Sequence, residues 1–481
     1  MLDRFGKCLS SAVLAVALSS PAWAGPAKPP GVSPQFLLGP RAVHASAAPG
    51  VDLFTCQVGL TPGVVCYDPF QMRAAYGVDR LVASGLDGTG HTIVIIDAFQ
   101  SPTLVDDVDA FAANYGLPPA SQFLTQIAPD GLTPFDPNDD NMNGWSGEIT
   151  LDVEWAHAMA PGAKIVLVLA KSNEDSDILS ALRYAVDHNL GDVISMSFGE
   201  NESCVDPVVN AGYHDAFAAA TRKSITLFAS SGDQGAAQMT CDGKSWVRAV
   251  SSPANDPLVS GVGGTELHAA DYCFASLGCD PAKSPAPGAY AGEIAWNEFG
   301  SESTGGGYSV IFDAPAFQAG ATNAKARAVP DIAYNAAIYH GVLVYWQGDV
   351  WLFGGTSAGA PQWSAITAIS NQVAGKRLGY LNAAFYRLRQ TPQNYAASFH
   401  DVTSGNNAVV EADIDGNAVP IDGFAATSNW DATTGIGSPK AERLVGRLIG
   451  SVSPADATAA LATSRPHGNA KPRVPGVMQP H

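Results

Sequence analysis

The sequence predicts an α/β fold, a doubly wound, mainly parallel sheet with helices on both faces. Short apolar runs rich in β-branched residues, such as 92–96, recur along the chain and are typical of strands buried on both faces. Helical patterns separate these runs, as βαβ units require. The 481 residues, 46% hydrophobic and 15% charged, are enough for a large buried core.

The predicted elements alternate in chain order. A helix at 69–76 precedes the first buried strand at 92–96, and Asp97 lies at the carboxyl end of that strand. The elements that follow are helices at 104–115 and 146–159, a strand at 164–169, a helix at 177–188, a strand at 192–198, a helix at 208–222 and a strand at 225–229. In doubly wound sheets, functional residues collect at the carboxyl ends of strands.

A glycine-rich string around Ser357 dominates the C-terminal half. Two short strands at 342–346 and 350–353 lead into the sequence GGTSAGAP at 354–361, and a buried helix is predicted at 364–373. A serine between small residues at a strand-to-helix junction has an accessible hydroxyl and a backbone N–H at a helix start. This geometry suits a nucleophile, although a serine that only caps the helix accounts equally well for the string alone.

The two ends of the chain differ from the domain predicted over 56–450. Residues 1–24 combine basic residues, a short apolar run and an Ala-x-Ala end, which predicts a secretory signal peptide cut after Ala24. Residues 25–55 are rich in Pro, Ala, Gly and Ser and are expected to form a disordered leader. Residues 451–481 lack periodicity and are expected to form a disordered tail. The mature protein is therefore expected to be secreted, either extracellular or periplasmic.

Charge and cysteine content restrict the partners and the compartment. A net charge of −19 argues against nucleic acids and anionic membranes as partners and suits an acidic medium. Six cysteines remain once Cys8 leaves with the signal peptide, and an even number in an exported chain favours disulfides. Their proximity suggests the pairs Cys56–Cys66, Cys204–Cys241 and Cys273–Cys279, with other connectivities open. We expect a monomer.

Carboxyl groups are the candidates to activate Ser357. A serine hydroxyl needs a base, an orienting group and an oxyanion donor. The string around Ser357 is similar to that of subtilisin, but the sequence has no His-Gly-Thr-His string to supply a histidine base. Glu148 and Asp152, spaced i, i+4, share one face of the predicted helix, and such a pair can share a proton and act in acid. By itself the pair is better explained as an acidic helix N-terminus.

Asp233 is the candidate for the oxyanion donor. It follows the predicted strand at 225–229 within the sequence SSGDQG at 230–235. An apolar site would keep its carboxyl group protonated, and the protonated group could donate a hydrogen bond to an oxyanion. Alone, the string is also explained by an ordinary Gly-Asp turn.

These three strings together resemble the sedolisin family of serine-carboxyl peptidases, relatives of subtilisin in fold. The resemblance covers roughly residues 60–448, and the joint occurrence of a Glu-x-x-x-Asp pair, a Ser-Gly-Asp-x-Gly turn and a Gly-Thr-Ser-x-x-x-Pro string is highly specific. It implies a subtilisin-like fold and hydrolysis of peptide bonds in protein and peptide substrates at acidic pH. The roles it implies are general base for Glu148, orienting group for Asp152, nucleophile for Ser357 and oxyanion donor for Asp233, with Asp97 extending the carboxyl network.

The resemblance also implies one structural calcium ion (Ca²⁺) near the C-terminus. Asp401 and Asp431 would supply carboxylates, and Val402, Thr427 and Asn429 would supply backbone carbonyls, an all-oxygen set that suits calcium. The family has glycines where Thr427 and Asn429 stand, but backbone ligation survives such a change. The acidic stretch at 413–417 resembles part of a calcium loop and is interpreted as a turn, because it has no closing Glu.

Two other functions stay open at this point. The chain could be a catalytically silent binding protein on the same fold, although all four catalytic positions carry the required chemical type. It could also be a conventional Ser-His-Asp hydrolase, which the missing histidine string disfavours. A pH–rate profile separates carboxyl from histidine chemistry, because an imidazole base is protonated in acid.

Overall fold

The computed structural model describes residues 31–45 and 53–466, so the predicted signal peptide lies outside the described residues. The helices, α1 to α12, are Pro69–Tyr76, Asp79–Ala83, Leu104–Tyr115, Ala120–Phe123, Asp140–Met159, Asp175–Asp187, Pro207–Arg222, Gly359–Ala374, Asn382–Arg389, Pro392–Ser398, Ala441–Ser451 and Pro454–Thr463. The strands, β1 to β27, are Ser33–Pro34, Leu37–Arg41, His44–Ala45, Leu53–Phe54, Val65–Tyr67, Thr92–Ala98, Leu124–Ile127, Lys164–Ala170, Val193–Met196, Phe198–Asn201, Thr226–Ser230, Ala237–Met239, Trp246–Arg248, Ser251–Ser252, Ser260–Ala269, Tyr290–Ala295, Asn297–Glu298, Glu302–Ser303, Gly307–Asp313, Ala326–Val329, Ile332–Asn335, His340–Trp346, Asp349–Gly354, Phe399–His400, Val409–Ala412, Ala418–Ile421 and Ser438–Pro439.

An eight-stranded sheet forms the centre of the fold. Its strand order is β16-β15-β11-β9-β6-β8-β7, and β21 also pairs with β15. The pairings are parallel except that of β15 with β16. Side chains of β6 alternate between two cores, with Ile93 and Ile95 on the α5 and α8 side and Val94 and Ile96 on the α6 and α7 side. The predicted doubly wound sheet with helices on both faces is confirmed.

Helix α5 begins earlier than the sequence pattern predicts. The carboxylate of Asp139 caps it by accepting hydrogen bonds from the N–H groups of Asn141 and Met142, at 2.9 and 3.2 Å. Glu148 and Asp152 therefore lie in the middle of a buried helix and not in its first turns. The alternative explanation of these residues as an acidic helix N-terminus is wrong, because the helix dipole acts mainly on the terminal turn.

Part of the stretch expected to be a disordered leader is ordered. Strand β1 pairs antiparallel with β10, and β2 pairs antiparallel with β23. The structure departs from the expectation for 31–45 because the backbone groups of this segment find partners far along the chain, which composition does not reveal. Residues 454–463 of the expected disordered tail form α12, whose N-terminus has a capping box between Ser453 and Asp456. Residues 25–30 and 46–52 of the first stretch and 467–481 of the second lie outside the described residues.

The three suggested disulfides are present, joining Cys56 to Cys66, Cys204 to Cys241 and Cys273 to Cys279. None of the helices in the described part of the chain has both the length and the apolar character of a membrane span. The disulfides agree with an oxidising compartment.

A hairpin carries the chain to Ser357. Strands β22 and β23 pair antiparallel, and the turn between them has positive φ angles of 53° at Gln347 and 77° at Gly348. Ser357 lies in a 3₁₀ turn, Thr356–Ala358, between the end of β23 and the start of α8. The predicted serine at a strand-to-helix junction is confirmed.

A buried ion pair fixes β21 beside β15. The guanidinium nitrogens of Arg327 contact the two carboxylate oxygens of Asp331 at 2.8 and 2.5 Å, and both side chains are fully buried. Asp331 also accepts hydrogen bonds from the Gly261 N–H at 2.9 Å and the Tyr386 hydroxyl at 3.0 Å. Additional donors of this kind are what make a buried pair favourable.

Candidate active site

The hydroxyl group of Ser357 faces a buried carboxyl group. Its Oγ lies 2.8 Å from Glu148 Oε2 and 3.1 Å from the carbonyl oxygen of Ser197, two acceptors for one proton. All three residues are fully buried. Helix α5 supplies Glu148, and the turn before α8 supplies Ser357, so two packed elements of the same core hold the contact. The pair has the geometry of a nucleophile and its base.

Two more carboxyl groups extend this arrangement inwards. Asp152, one turn after Glu148, accepts a hydrogen bond from Ser197 Oγ at 2.8 Å through its Oδ1. Asp97 lies at the end of β6. In the described part of the chain, Glu148 Oε1, Asp152 Oδ2 and both carboxyl oxygens of Asp97 are buried and contact no hydrogen-bond donor. Since a buried carboxylate without donors is costly, these groups must retain or share protons.

Burial and mutual repulsion shift the titration of these groups. Burial, followed by the Asp152 and Asp97 carboxyls, raises the pKa of Glu148 well above its usual range. Burial raises the pKa of Asp152, and burial with the nearby Asp152 raises the pKa of Asp97. The three carboxyl groups therefore titrate together, and they keep protons at pH values above the usual range of carboxyl pKa values.

Asp233 follows β11 and is held by the turn that contains the serine. Its Oδ1 accepts hydrogen bonds from the N–H and the Oγ1 of Thr356, at 2.7 and 2.8 Å. Its Oδ2 is buried and contacts no donor among the described residues. Burial raises the pKa of Asp233 to about 7. Because Oδ1 already accepts from two donors, the neutral carboxyl group carries its proton on Oδ2, which can then donate a hydrogen bond.

The carbonyl oxygen of Gln35 lies next to the backbone of Ser357 and close to Asp233. The N–H of Ser357 donates to the carbonyl of Gln35 at 2.9 Å. Gly355, with a φ of 99°, borders the same space, since a Cβ there would lie 2.5 Å from Asp233 Oδ2 and 2.6 Å from the Gln35 oxygen. Only glycine permits this approach. The Ser357 N–H and Asp233 Oδ2 thus both border the space around the Gln35 carbonyl oxygen, which is the arrangement of an oxyanion hole.

The structure brings together the four residues predicted for catalysis, and Asp97 joins them. Sequence reasoning missed the parts played by Ser197, Thr356 and Gln35. Ser197 lies near the carboxyl end of a predicted strand, where functional residues collect in such sheets. Its role, however, depends on its contact with Asp152, which the sequence does not reveal. Nothing in the sequence near Gln35 points to the site.

The residues predicted to bind calcium lie in two loops that meet at Tyr395. Its hydroxyl oxygen is 2.8 Å from Asp401 Oδ1 and 2.9 Å from each of the carbonyl oxygens of Asn429 and Ile436. One hydroxyl proton can satisfy only one of three acceptors, so the pocket has a surplus of oxygen lone pairs, which suits a hard cation. Ile436 was not predicted.

The other predicted ligands are close in sequence to the residues that line this pocket. Asp431 Oδ2 accepts from the Thr427 N–H at 2.9 Å, and its Oδ1 accepts from the N–H groups of Thr433 and Thr434 at 2.9 and 2.7 Å. Val402 follows Asp401 and is buried. The donor set therefore fits calcium, with Asp401 from one loop and the Asn429 carbonyl from the other.

A different cluster of possible metal ligands lies where β15 and β22 meet. One ligand atom each of Glu266, His268 and His340 lies within 4.8 Å of the others. His340 Nδ1 is 2.8 Å from the Leu267 carbonyl, which leaves Nε2 to face Glu266. Two imidazoles and one carboxylate are typical of zinc and not of calcium.

Comparisons with known proteins agree with this geometry. The sequence matches the model of the subtilase family over residues 138–391, a span that includes all four predicted catalytic residues. Kumamolisin from Bacillus sp. (strain MN-32) is 34% identical over 404 residues, which are 81% of this chain and 65% of that protein. Sedolisin from Pseudomonas sp. (strain 101) is 30% identical over 365 residues, 72% of this chain and 56% of that protein.

The same relationship is found with xanthomonalisin and among solved structures. Xanthomonalisin from Xanthomonas sp. (strain T-22) is 28% identical over 414 residues, 78% of this chain and 45% of that protein. This chain therefore spans between 45% and 65% of the length of these relatives. A structure of Pseudomonas sedolisin, a serine-carboxyl proteinase complexed with two molecules of pseudo-iodotyrostatin, superposes with a TM-score of 0.66 at 27% identity, over 80% of this chain and 99% of that one. The resemblance stated from the three strings is confirmed.

Proposed function

The chain belongs to the subtilase family, and from this premise we propose that it is a secreted serine-carboxyl endopeptidase that hydrolyses peptide bonds of proteins at acidic pH. The observation that carries the proposal is the 2.8 Å contact between Ser357 Oγ and Glu148 Oε2 within a buried carboxyl set. A carboxyl base functions in acid, where an imidazole is protonated. The signal-peptide pattern at 1–24 and the three disulfides support secretion.

In the proposed mechanism Ser357 is the nucleophile. Its Oγ attacks the carbonyl carbon of the peptide while Glu148 takes its proton, and Asp152 holds Glu148 in position. Glu148 then returns the proton to the leaving amine, and water releases the acyl group by the same steps in reverse order. Ser197 supports this chain, because its hydroxyl binds Asp152 and its carbonyl faces the nucleophile.

Negative charge that develops on the peptide oxygen would be stabilised by two donors. One is the backbone N–H of Ser357, and the other is Asp233, protonated on Oδ2. The raised pKa of Asp233, about 7, supports this role because the group stays neutral throughout the acidic range. Removing one donor of this kind typically costs roughly 3 to 4 kcal/mol of transition-state stabilisation.

Hydrolysis is expected to be confined to the acidic side of neutrality. Asp233 must keep its proton to donate, so activity should fall as pH rises through about 7, the value to which burial raises its pKa. The measurement is digestion of an unfolded protein by the purified enzyme at a series of pH values, with cut sites read by mass spectrometry and Ser357→Ala as the blank. An optimum at neutral pH would favour histidine chemistry. Peptide binding without cleavage at every pH would favour a silent binding protein.

We propose further that one calcium ion binds between the loops that carry Asp401 and Asn429. The three oxygen acceptors around the Tyr395 hydroxyl support this proposal. The carboxylate of Asp431 supports it too, because it is close enough to Tyr395 to add to the rise in the pKa of that hydroxyl that burial and Asp401 cause. When bound, the ion supplies a structural cross-link between two loops distant along the chain. Asp401 and the carbonyls of Asn429 and Ile436 would hold it, with Asp431 and the carbonyls of Val402 and Thr427 completing the oxygen set.

Removing calcium is expected to lower the melting temperature, because an ion that binds only the folded chain stabilises it by mass action. The melting temperature should rise with added calcium in wild type, and Asp401→Ala should abolish this dependence. Asp415→Asn is the matched control, since it removes an exposed carboxylate from the separate turn at 413–417. An equal melting temperature in chelator and in excess calcium would refute the site.

A further inference from the structure

We propose that Glu266, His268 and His340 bind one zinc ion (Zn²⁺), with Asp271 as the fourth ligand. The site lies where β15, a strand of the central sheet, meets β22, which pairs with β23 ahead of Ser357. Its residues are distinct from those of the calcium site proposed above. The inference does not depend on the proposed peptidase function.

Two strands position three of the ligands. Glu266 and His268 are two residues apart in β15, so their side chains project from the same face of the strand. His340 is the first residue of β22 and pairs with Val65 of β5. A hydrogen bond from its ring to the Leu267 carbonyl ties β22 to β15 at this point. Ligands on strands are held more precisely than ligands on loops.

The tautomer of His340 directs a lone pair at Glu266. Nδ1 of His340 is 2.8 Å from the Leu267 carbonyl oxygen, and because that oxygen can only accept, Nδ1 is the N–H donor. In the neutral ring Nε2 therefore carries a lone pair, and it lies 3.9 Å from Glu266 Oε1. A cation between these two electron-rich atoms turns their repulsion into attraction. A second ring nitrogen bonded to a backbone carbonyl is the usual arrangement of a metal-bound imidazole.

The spacing of the ligand atoms suits a tetrahedral ion. His268 Nε2 lies 3.4 Å from Glu266 Oε1, and the ligand atoms of the two histidines and Glu266 all lie within 4.8 Å of one another. Ligands bound to a tetrahedral zinc at about 2.0–2.1 Å are themselves about 3.3–3.4 Å apart, which side-chain rotation can reach. The distances from Glu266 to both rings exceed the roughly 2.7–2.9 Å of a charge-assisted hydrogen bond. Neither ring therefore already holds the carboxylate closely.

Asp271 has an unused carboxylate oxygen close to these groups. Its Oδ1 is buried and contacts no hydrogen-bond donor in the described part of the chain. Burial raises the pKa of Asp271 and the nearby His340 opposes that rise, so the two side chains lie within electrostatic range. Burial, and after it the carboxylates of Asp271 and Glu266, raise the pKa of the Tyr67 hydroxyl, so both carboxylates lie near the same tyrosine. A buried carboxylate oxygen without a donor is costly unless a cation satisfies it.

The donor set selects zinc over calcium or magnesium. Those two ions take oxygen ligands, whereas imidazole nitrogen combined with carboxylate oxygen is typical of zinc. Two carboxylates balance the charge of a divalent ion, and two neutral imidazoles add none. The side chain of His268 is 44% exposed, which gives an ion access from solvent. Four protein ligands make a closed site, so the ion would act as a structural cross-link between β15 and β22.

The first test measures the zinc bound by the untagged chain that begins at Gly25. All samples carry Ser357→Ala, so that hydrolysis cannot alter them. They are dialysed against zinc with calcium in excess at about pH 7.5, where imidazoles are mainly neutral, and their metal content is measured by mass spectrometry. We expect this parent protein to bind one more zinc ion per chain than the variant that also carries His268→Ala.

His188→Ala is the matched control, because it removes another exposed histidine, at the C-terminus of α6. It should bind as much zinc as the parent. Melting temperatures without zinc show that each variant folds, and added zinc should raise the melting temperature of the parent but not that of His268→Ala. Equal zinc in the parent and His268→Ala, or an equal loss in His188→Ala, would overturn the site.

The second test concerns the geometry and the two carboxylates. Cobalt(II) replaces zinc, because its visible absorption is intense in a four-coordinate site and weak in a six-coordinate one. Glu266→Gln should weaken cobalt binding by about 100-fold or more, since losing a ligand exceeds the 10- to 100-fold cost of losing an outer contact. Weak absorption of the kind given by six-coordinate cobalt would overturn the tetrahedral site.

Asp271→Asn should weaken cobalt binding by about tenfold or more, because an amide oxygen carries no charge and is a poor ligand for the ion. Asp280→Asn is its matched control, since Asp280 is an exposed aspartate of the following loop that pairs with Lys283. This control should change the affinity by less than about twofold. Equal affinities for the parent and Asp271→Asn, with both folded, would overturn the assignment of Asp271 as the fourth ligand.

Discussion

The Ser357→Ala variant is expected to lose about 10⁴- to 10⁶-fold in kcat on a protein substrate while it keeps its fold. The reason is that the 2.8 Å contact of Ser357 Oγ with Glu148 Oε2 is the first link of the proposed proton transfer. Glu148→Gln should lose a similar factor, because the amide is uncharged and cannot take the proton. Asp152→Asn should lose about 10⁴-fold through misplacement of Glu148. The effects on kcat of substituting residues that act as one unit are not additive. The Ser357→Ala, Glu148→Gln double variant should therefore be no slower than either single variant.

Helix α5 provides a matched control for these substitutions. Glu154 is also fully buried on α5, and burial raises its pKa well above the usual range. Its Oε2 accepts from the Tyr345 N–H at 3.1 Å, away from the serine. Glu154→Gln therefore removes a buried carboxyl from the same helix and should leave kcat within a few fold of wild type. Folding of each variant is checked by its melting temperature. A folded Glu148→Gln protein with near wild-type turnover in acid would remove Glu148 from the mechanism.

The elements that carry the site follow from local patterns in the sequence. The β-branched run at 92–96 is apolar on both faces, which is why β6 lies in the centre of a parallel sheet between two cores. The i, i+4 spacing of Glu148 and Asp152 holds wherever the helix begins, so the early start of α5 at Asp140 did not affect the pairing. The GGTSAGAP string fixes a strand-to-helix turn through its small residues.

What sequence reasoning missed depends on contacts between distant segments. The segment at 31–45 has no periodic pattern, and its order comes from β10 and β23, far along the chain. Ser197 and Thr356 are polar residues whose parts in the site exist only because Asp152 and Asp233 face them. Tyr395 and Ile436 likewise join the proposed calcium site only through contacts between distant segments. In each case the role of the residue depends on its distance in space from a residue far along the chain. Composition and sequence spacing reveal little about such distances.

Asp233→Ala is expected to lower kcat by about 10²- to 10³-fold, because it removes one of the two proposed oxyanion donors. Asp233→Asn should retain more activity than the alanine variant at a fixed acidic pH. Its amide can place the carbonyl oxygen at the Thr356 N–H and Oγ1, where Oδ1 now accepts, and the NH₂ group where Oδ2 now lies. The comparison needs a single pH value, so the coupled titration of Glu148 and Asp152 does not disturb it.

The full pH profile of Asp233→Asn then tests the protonation of the donor. In wild type the neutral form is lost as pH rises through about 7, the raised pKa of Asp233, and the oxyanion then faces a carboxylate. An asparagine side chain donates at every pH. The loss of activity at alkaline pH should therefore be smaller in this variant, and what remains of it should come from the titration of Glu148, Asp152 and Asp97. Ability to bind a peptide inhibitor shows that each variant is folded and has an open cleft. If Asn and Ala are equally inactive although both bind the inhibitor, Asp233 must transfer its proton during the reaction and not only share it in a hydrogen bond.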